Sequence, residues 1–129
     1  MLTSIIAFLS YMVAAGALLA IFMFVYEAMT PYSEFTEIKE GNIAAGIAFA
    51  GAIIGFTLPL ASTIFYTHSI MEMGKWAVVT GCVQLAVFAI MQRFFDVSDC
   101  IRNRRVSTSI LLSSIAVAVG ILNAISISY

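Results

Sequence analysis

Four long apolar stretches and three short polar breaks make up the chain. The stretches run at about Ile5–Met29, Ile43–Tyr66, Trp76–Phe95 and Ser109–Ser128, and the breaks at Thr30–Asn42, Thr67–Lys75 and Gln92–Thr108. Each stretch supplies the roughly 20 residues that take a helix across about 30 Å of hydrocarbon. The apolar residues are continuous, not alternating, and a membrane strand needs only about 10 residues, so strands are the poorer reading. Helices also satisfy their own backbone hydrogen bonds, as lipid requires. The pattern predicts four transmembrane helices. The first stretch is too long for a signal-peptide core and has no Lys or Arg before it, so it is expected to be retained.

Composition narrows this to an integral membrane protein. Of the 129 residues, 62% are hydrophobic and 10% are charged, with a mean hydropathy of +1.05. Too few polar residues remain to cover a water-facing surface. The length suits one transmembrane domain, 1–129, with the lipid bilayer as its surroundings. A net charge of −1 leaves no basic footprint for nucleic acid. Cys82 falls inside the third stretch and Cys100 in the third break, so they are not expected to pair. Lys39, Arg93, Arg102, Arg104 and Arg105 lie in the first and third breaks, against Lys75 alone on the other side. This bias predicts cytoplasmic first and third breaks and both termini outside.

An internal repeat is visible. Leu19-Ala-Ile-Phe22 recurs as Leu85-Ala-Val-Phe88, and at an offset of 65 Ala44, Ala48, Gly51, Gly55 and Pro59 fall on Ser109, Ser113, Ala116, Gly120 and Ala124. Spacings of three and four put each set on one helix face. Small residues on one face let two backbones approach, and Gly51-Ala-Ile-Ile-Gly55 is a GxxxG. The fold expected is an all-α, integral membrane four-helix bundle of two parallel-repeat transmembrane hairpins, about 5–66 and 76–129, with the second and fourth spans in central contact. In the breaks, Thr30-Pro31 is expected to start a short interfacial helix with Phe35 and Ile38 on one face, and Gly41 to end it. Asn42 should cap the second span, and Ser107 or Thr108 the fourth. Asp96–Arg105 is the counterpart of the first short helix.

Few residues carry chemistry. Glu27 is the carboxylate within a span, read either as a proton or cation site or as a headgroup-level side chain reaching into water, and Arg93 at the matching place in the third span offers it a Glu27–Arg93 pair near the cytoplasmic surface. Gln84 and Asn123 are the deepest amides, suited to interhelical hydrogen bonds or to lining a polar pathway. Pro59 leaves the carbonyl of Gly55 without its helical donor. His68 with Glu72 is too small a set for a metal site. Tyr11, Trp76 and Tyr129 read as belt aromatics on the outer side, and Tyr26 and Tyr32 on the inner. No nucleophile–base pair, phosphate loop or dinucleotide fingerprint is present. No catalytic, cofactor or metal site is expected.

The segment Tyr26-Glu-Ala-Met-Thr-Pro-Tyr-Ser-Glu-Phe-Thr-Glu-Ile-Lys-Glu-Gly-Asn-Ile-Ala-Ala, with Ala48-Phe-Ala-Gly, Gly55-Phe-Thr-Leu-Pro-Leu and Ser62, resembles the YjfL-type bacterial inner-membrane family, domain of unknown function 350. The second half departs from it where Asn-x-Ala-Ala becomes Ser107-Thr-Ser-Ile. The resemblance implies a small four-span protein of the bacterial inner membrane and supplies no catalytic residues. Three functions compete. One is a homo-oligomeric module, a dimer first, that forms or supports a conduit. Another is an anchor for a cytoplasmic protein partner, docked on the acidic first and basic third breaks. The third, a proton-coupled exporter, wants an ionisable group deeper than Glu27.

Overall fold

A computed structural model describes residues 1–29, 34–66 and 69–127. Six helices follow one another: α1 Leu2–Met29, α2 Glu34–Lys39, α3 Ile43–Tyr66, α4 Ile70–Phe95, α5 Val97–Arg102 and α6 Val106–Ser126. Four of them are long and apolar enough to cross a membrane, and no strand occurs among the described residues. The order long, short, long occurs twice. The start of the first short helix at Thr30-Pro31 lies outside the described residues, as do Tyr32, His68 and Tyr129.

Helices α3 and α6 form the most extensive contact, running parallel. Helix α4 packs against both, and α1 against α3 and α4. The core is aromatic on the α1 side of α3. Phe22 stacks on Phe56 with ring centroids 4.3 Å apart, and Tyr26 lies 5.6 Å from Phe49 and 4.8 Å from Phe88. Tyr26 is therefore a core residue and not a belt aromatic: only 2% of it is exposed. Phe22, Phe49 and Phe88, from α1, α3 and α4, surround the ring and hold it inside.

Two boundaries differ from the sequence expectation. Helix α4 begins at Ile70, with Ser69 as its N-cap in an extended conformation, so most of Thr67–Lys75 is helical. Its polar residues do not break the helix because they share one outward side. Glu72 and Lys75 form an exposed ion pair at 3.6 Å, while Met73 and Ala77 turn into the core. Helix α6 begins earlier as well, with Arg105 as N-cap in place of Ser107 or Thr108. The reason lies in how α5 ends. Arg104 adopts φ 58°, its amide donates to the Ile101 carbonyl, and the Arg105 amide donates to that of Cys100. Gly41, at φ 84°, and Asn42 end α2 with the same pair of bonds, to Ile38 and Glu37. Both are Schellman closures. Arg104 pays the left-handed conformation that glycine takes freely at position 41. The second cap thus falls 63 positions after the first, two short of the offset that relates the small-residue faces.

Candidate functional site

Small side chains bring two backbones together at the centre of the bundle. Ala44, Ala48, Gly51, Gly55 and Pro59 are all buried on α3; on α6, Ser109 and Gly120 are buried, with Ser113, Ala116 and Ala124 half-buried. A Cβ added to Gly51 would stand 2.6 Å from the Cα of Ser113, one on Gly55 2.9 Å from the carbonyl carbon of Ala116, and one on Gly120 2.8 Å from the Cα of Gly55. Backbone atoms cannot yield as a flexible side chain can. Any side chain at these three positions forces the helices apart.

A polar node sits at that crossing. Pro59 has no amide hydrogen, so the Gly55 carbonyl four residues earlier loses its helical donor. Gln84 of α4 supplies one: its Nε2 donates to the Gly55 carbonyl at 2.9 Å and to that of Ala116 at 3.1 Å. One amide, 5% exposed, thereby links α3, α4 and α6. Beside it is a cavity of about 20 Å³ lined by Phe22, Tyr26, Ala48, Gln84, Phe88 and Leu112 among others. That is space for about one water molecule. Further along the same seam, Ser62 donates to the Ala124 carbonyl at 2.6 Å. Asn123 is half-buried, and its Nδ2 has no hydrogen-bond partner among the described residues.

The charged candidates stay apart. Glu27 is half-buried in the last turn of α1, whereas Arg93 is exposed in the last turn of α4, and no ion pair joins them. Helix register separates them: Phe88 and Met91 are the α4 residues turned to the core beside Tyr26, and Arg93 lies two positions beyond Met91. Cys82 is exposed and Cys100 buried, both free. Among the described residues no group of three or more His, Cys, Asp or Glu gathers that would hold a metal.

A second node, at the end of the bundle holding the two short helices, is carried by Asn42. Its Oδ1 accepts from the Ala45 amide at 3.3 Å, capping α3. Its Nδ2 donates to the Ile101 carbonyl at 2.8 Å and to Glu37 Oε2 at 3.0 Å. A residue read from sequence only as a cap thus ties α2, α3 and α5 together. Arg104 adds a long contact of 3.5 Å to the Gly41 carbonyl. Burial of Asn42, at 2% exposed, is the sign of this role, and nothing local in the sequence carries it. Phe35 completes the arrangement by meeting Phe49 edge-on, with ring centroids 5.4 Å apart.

A family model described as Domain of Unknown Function (DUF350) matches residues 1–127. The UPF0719 inner membrane protein YjfL of Escherichia coli (strain K12) is 34% identical over 124 residues, covering 95% of this chain and 94% of the relative. The UPF0719 transmembrane protein YshE of Bacillus subtilis (strain 168) is 28% identical over 97 residues, covering 73% of this chain and 72% of the relative. No solved structure matches.

Proposed function

The chain belongs to the family described as Domain of Unknown Function (DUF350), and from that membership we propose that it is a non-enzymatic, homo-oligomeric module of the bacterial inner membrane. Its relatives bear inner-membrane and transmembrane names, and four candidate spans make it a multi-pass membrane protein. One observation carries the rest of the reading. The buried amide at the helix crossing, Gln84, donates to two backbone carbonyls, beside a space of about 20 Å³. The node serves cohesion, and a conduit that this module forms or supports runs between copies, not through one chain. Two hairpins of the order long, short, long have the form of a fused pair, and the internal repeat extends to further copies by the same logic. Mass measurement in nanodiscs should give a dimer or larger assembly. A monomer at every accessible concentration overturns the reading. Flux of ions or small solutes through loaded liposomes above the protein-free rate supports the conduit role.

The Asn42 node favours a second reading, an anchor for a cytoplasmic protein. By joining α2 to α5 it makes one platform of the two short helices, which carries Glu37 and Glu40 from the first and Arg104 and Arg105 from the end of the second. The platform faces the cytoplasm on the Lys/Arg bias, with both termini outside. An impermeant thiol reagent on intact cells should then modify Ser69→Cys and spare Ser33→Cys. The reverse pattern inverts the orientation.

A further inference from the structure

We infer that two copies of this chain pair back to back, α3 of each lying on α6 of the other, with the acidic end of α2 beside the partner copy's Arg104–Arg105 corner. The inference rests on the homo-oligomer reading above and names its surface. Within one chain α6 touches α3, α4 and α5. On its other flank Ile110, Ile121 and Ile125 are 52%, 46% and 62% exposed. On α3 the flank away from α1 and α4 is equally open. Ile43 and Ile54 are exposed there, and an open depression of about 340 Å³ at the α2–α3 corner is lined by Ile38, Gly41, Ile43 and Gly46 among others. Nothing lies within 4 Å of a Cβ added to Gly46. Ile54 precedes Gly55 and Ile121 follows Gly120, so the two flanks adjoin along the crossing seam and form one continuous apolar surface.

Lipid would satisfy the apolar part of this surface. The charges beside it select a protein partner. Glu40 is exposed at the end of α2, next to Glu37, and the two outnumber Lys39. Arg104 and Arg105 are exposed at the entrance to α6. The ion pair among the described residues is Lys75–Glu72; none among them joins Glu40, Arg104 or Arg105 to an opposite charge, Arg104 making only its long contact to the Gly41 carbonyl. Both groups lie at the same end of the bundle, because Asn42 ties α2 to α5. A two-fold axis along the membrane normal places α3 of one copy opposite α6 of the other. It therefore joins the apolar flanks and sets Glu40 beside the partner copy's Arg104, and does so twice. Opposite charges in register at the rim fix which faces meet.

The test uses the full chain with Cys82→Ser and Cys100→Ser, reconstituted in nanodiscs large enough for two copies. Chains carrying Ile54→Cys, mixed with chains carrying Ile121→Cys, should yield a disulfide-linked dimer on oxidation. Chains carrying Ile90→Cys, on the outer side of α4, should not. Arg104→Glu should weaken the dimer by about tenfold in mass measurement, because each of the two symmetric pairs turns from attraction to repulsion. Adding Glu40→Arg to the same chain should restore it. A dimer by mass that links through Ile90→Cys and not through the Ile54→Cys and Ile121→Cys mixture overturns this interface and leaves the oligomer standing. A monomer throughout overturns both. A dimer indifferent to Arg104→Glu removes the charge argument and with it the choice of faces.

Discussion

Helices α1 and α3 are both long and apolar, and they differ almost completely in what they touch. In α3, 56% of the most apolar window is buried inside the molecule; in α1 the figure is 6%. The more hydrophobic helix is the more exposed one. In water this would be a contradiction, since burial there follows apolar area. In a bilayer the surroundings are as apolar as leucine, and hydrophobicity marks only that a residue belongs in the membrane. Burial is marked by smallness instead: α3 turns Ala44, Ala48, Gly51 and Gly55 inward, while α1 presents Ile5, Phe8, Met12, Val13, Ile21 and Phe24 to lipid. Only Phe22 and Tyr26 of α1 are buried. Packing decides which helix is central, and packing in lipid is a matter of how closely backbones can come.

The largest effect should come from breaking that closeness. Gly55→Leu should abolish assembly or unfold the bundle, and Gly51→Leu and Gly120→Leu should follow, because each side chain would overlap backbone atoms of the facing helix. Overpacking against atoms that can shift costs about 1–3 kcal/mol, and here they cannot shift without parting the helices. Thermal unfolding in mild detergent measures this. Ile53→Leu, beside Gly51 and only partly buried, is the control and should change stability by less than about 1 kcal/mol. Equal effects at Gly55 and Ile53 would dissolve the distinction between a small-residue seam and an apolar surface.

Gln84→Leu comes next. It removes the donor to the Gly55 and Ala116 carbonyls and leaves the former, freed by Pro59, without a partner. Interhelical hydrogen bonds in membranes are worth about 0.6 kcal/mol on average and about 1.7 at most, so a loss of about 1–2 kcal/mol is expected. Gln84→Glu, whose ionised carboxylate can only accept, should cost more than Gln84→Leu because it adds a charge at membrane depth. Asn42→Ala should cost about 1 kcal/mol through the lost cap. It should also raise hydrogen exchange in the amides of α2 and α5, which a lost cap on α3 alone would not do. Exchange confined to the first turn of α3 would reduce Asn42 to an ordinary cap.

These residues also show how far the sequence could be read. The four spans were legible because continuous apolar length has one physical solution in lipid. The orphaned carbonyl of Gly55 was legible from Pro59, four residues on, by covalent chemistry alone. What answers it was not, because Gln84 is 29 residues away and meets Gly55 only once α4 lies across the crossing. The same holds for Asn42 and Ile101, 59 residues apart. The start of α4 was hidden by reading Glu72 and Lys75 as a break, when at three residues apart they mark the outer side of a helix. Arg104 misled the start of α6, since nothing in an arginine announces a left-handed turn. Interactions set by length and backbone chemistry are written locally; those set by the crossing of helices are not.

The smallest effect should come from the other side of the comparison, and it is the one that tests it hardest. Gly16 sits midway along α1, and nothing lies within 4 Å of a Cβ built on it. If α1 is a lipid-facing helix, Gly16→Leu exchanges a gap in an apolar surface for an apolar side chain in hydrocarbon. The helix gains from losing a glycine, by an amount bounded by the roughly 1 kcal/mol that separates glycine from alanine. Thermal stability should therefore stay level or rise slightly, and the mass of the assembly should not change, since the back-to-back pairing leaves α1 outside the interface. A loss comparable to that of Gly55→Leu would mean that α1 has a close partner in the assembled protein. The exposed residues of α1 would then be an interface between copies, and the contrast between α1 and α3 would belong to the single chain and not to the protein in its membrane.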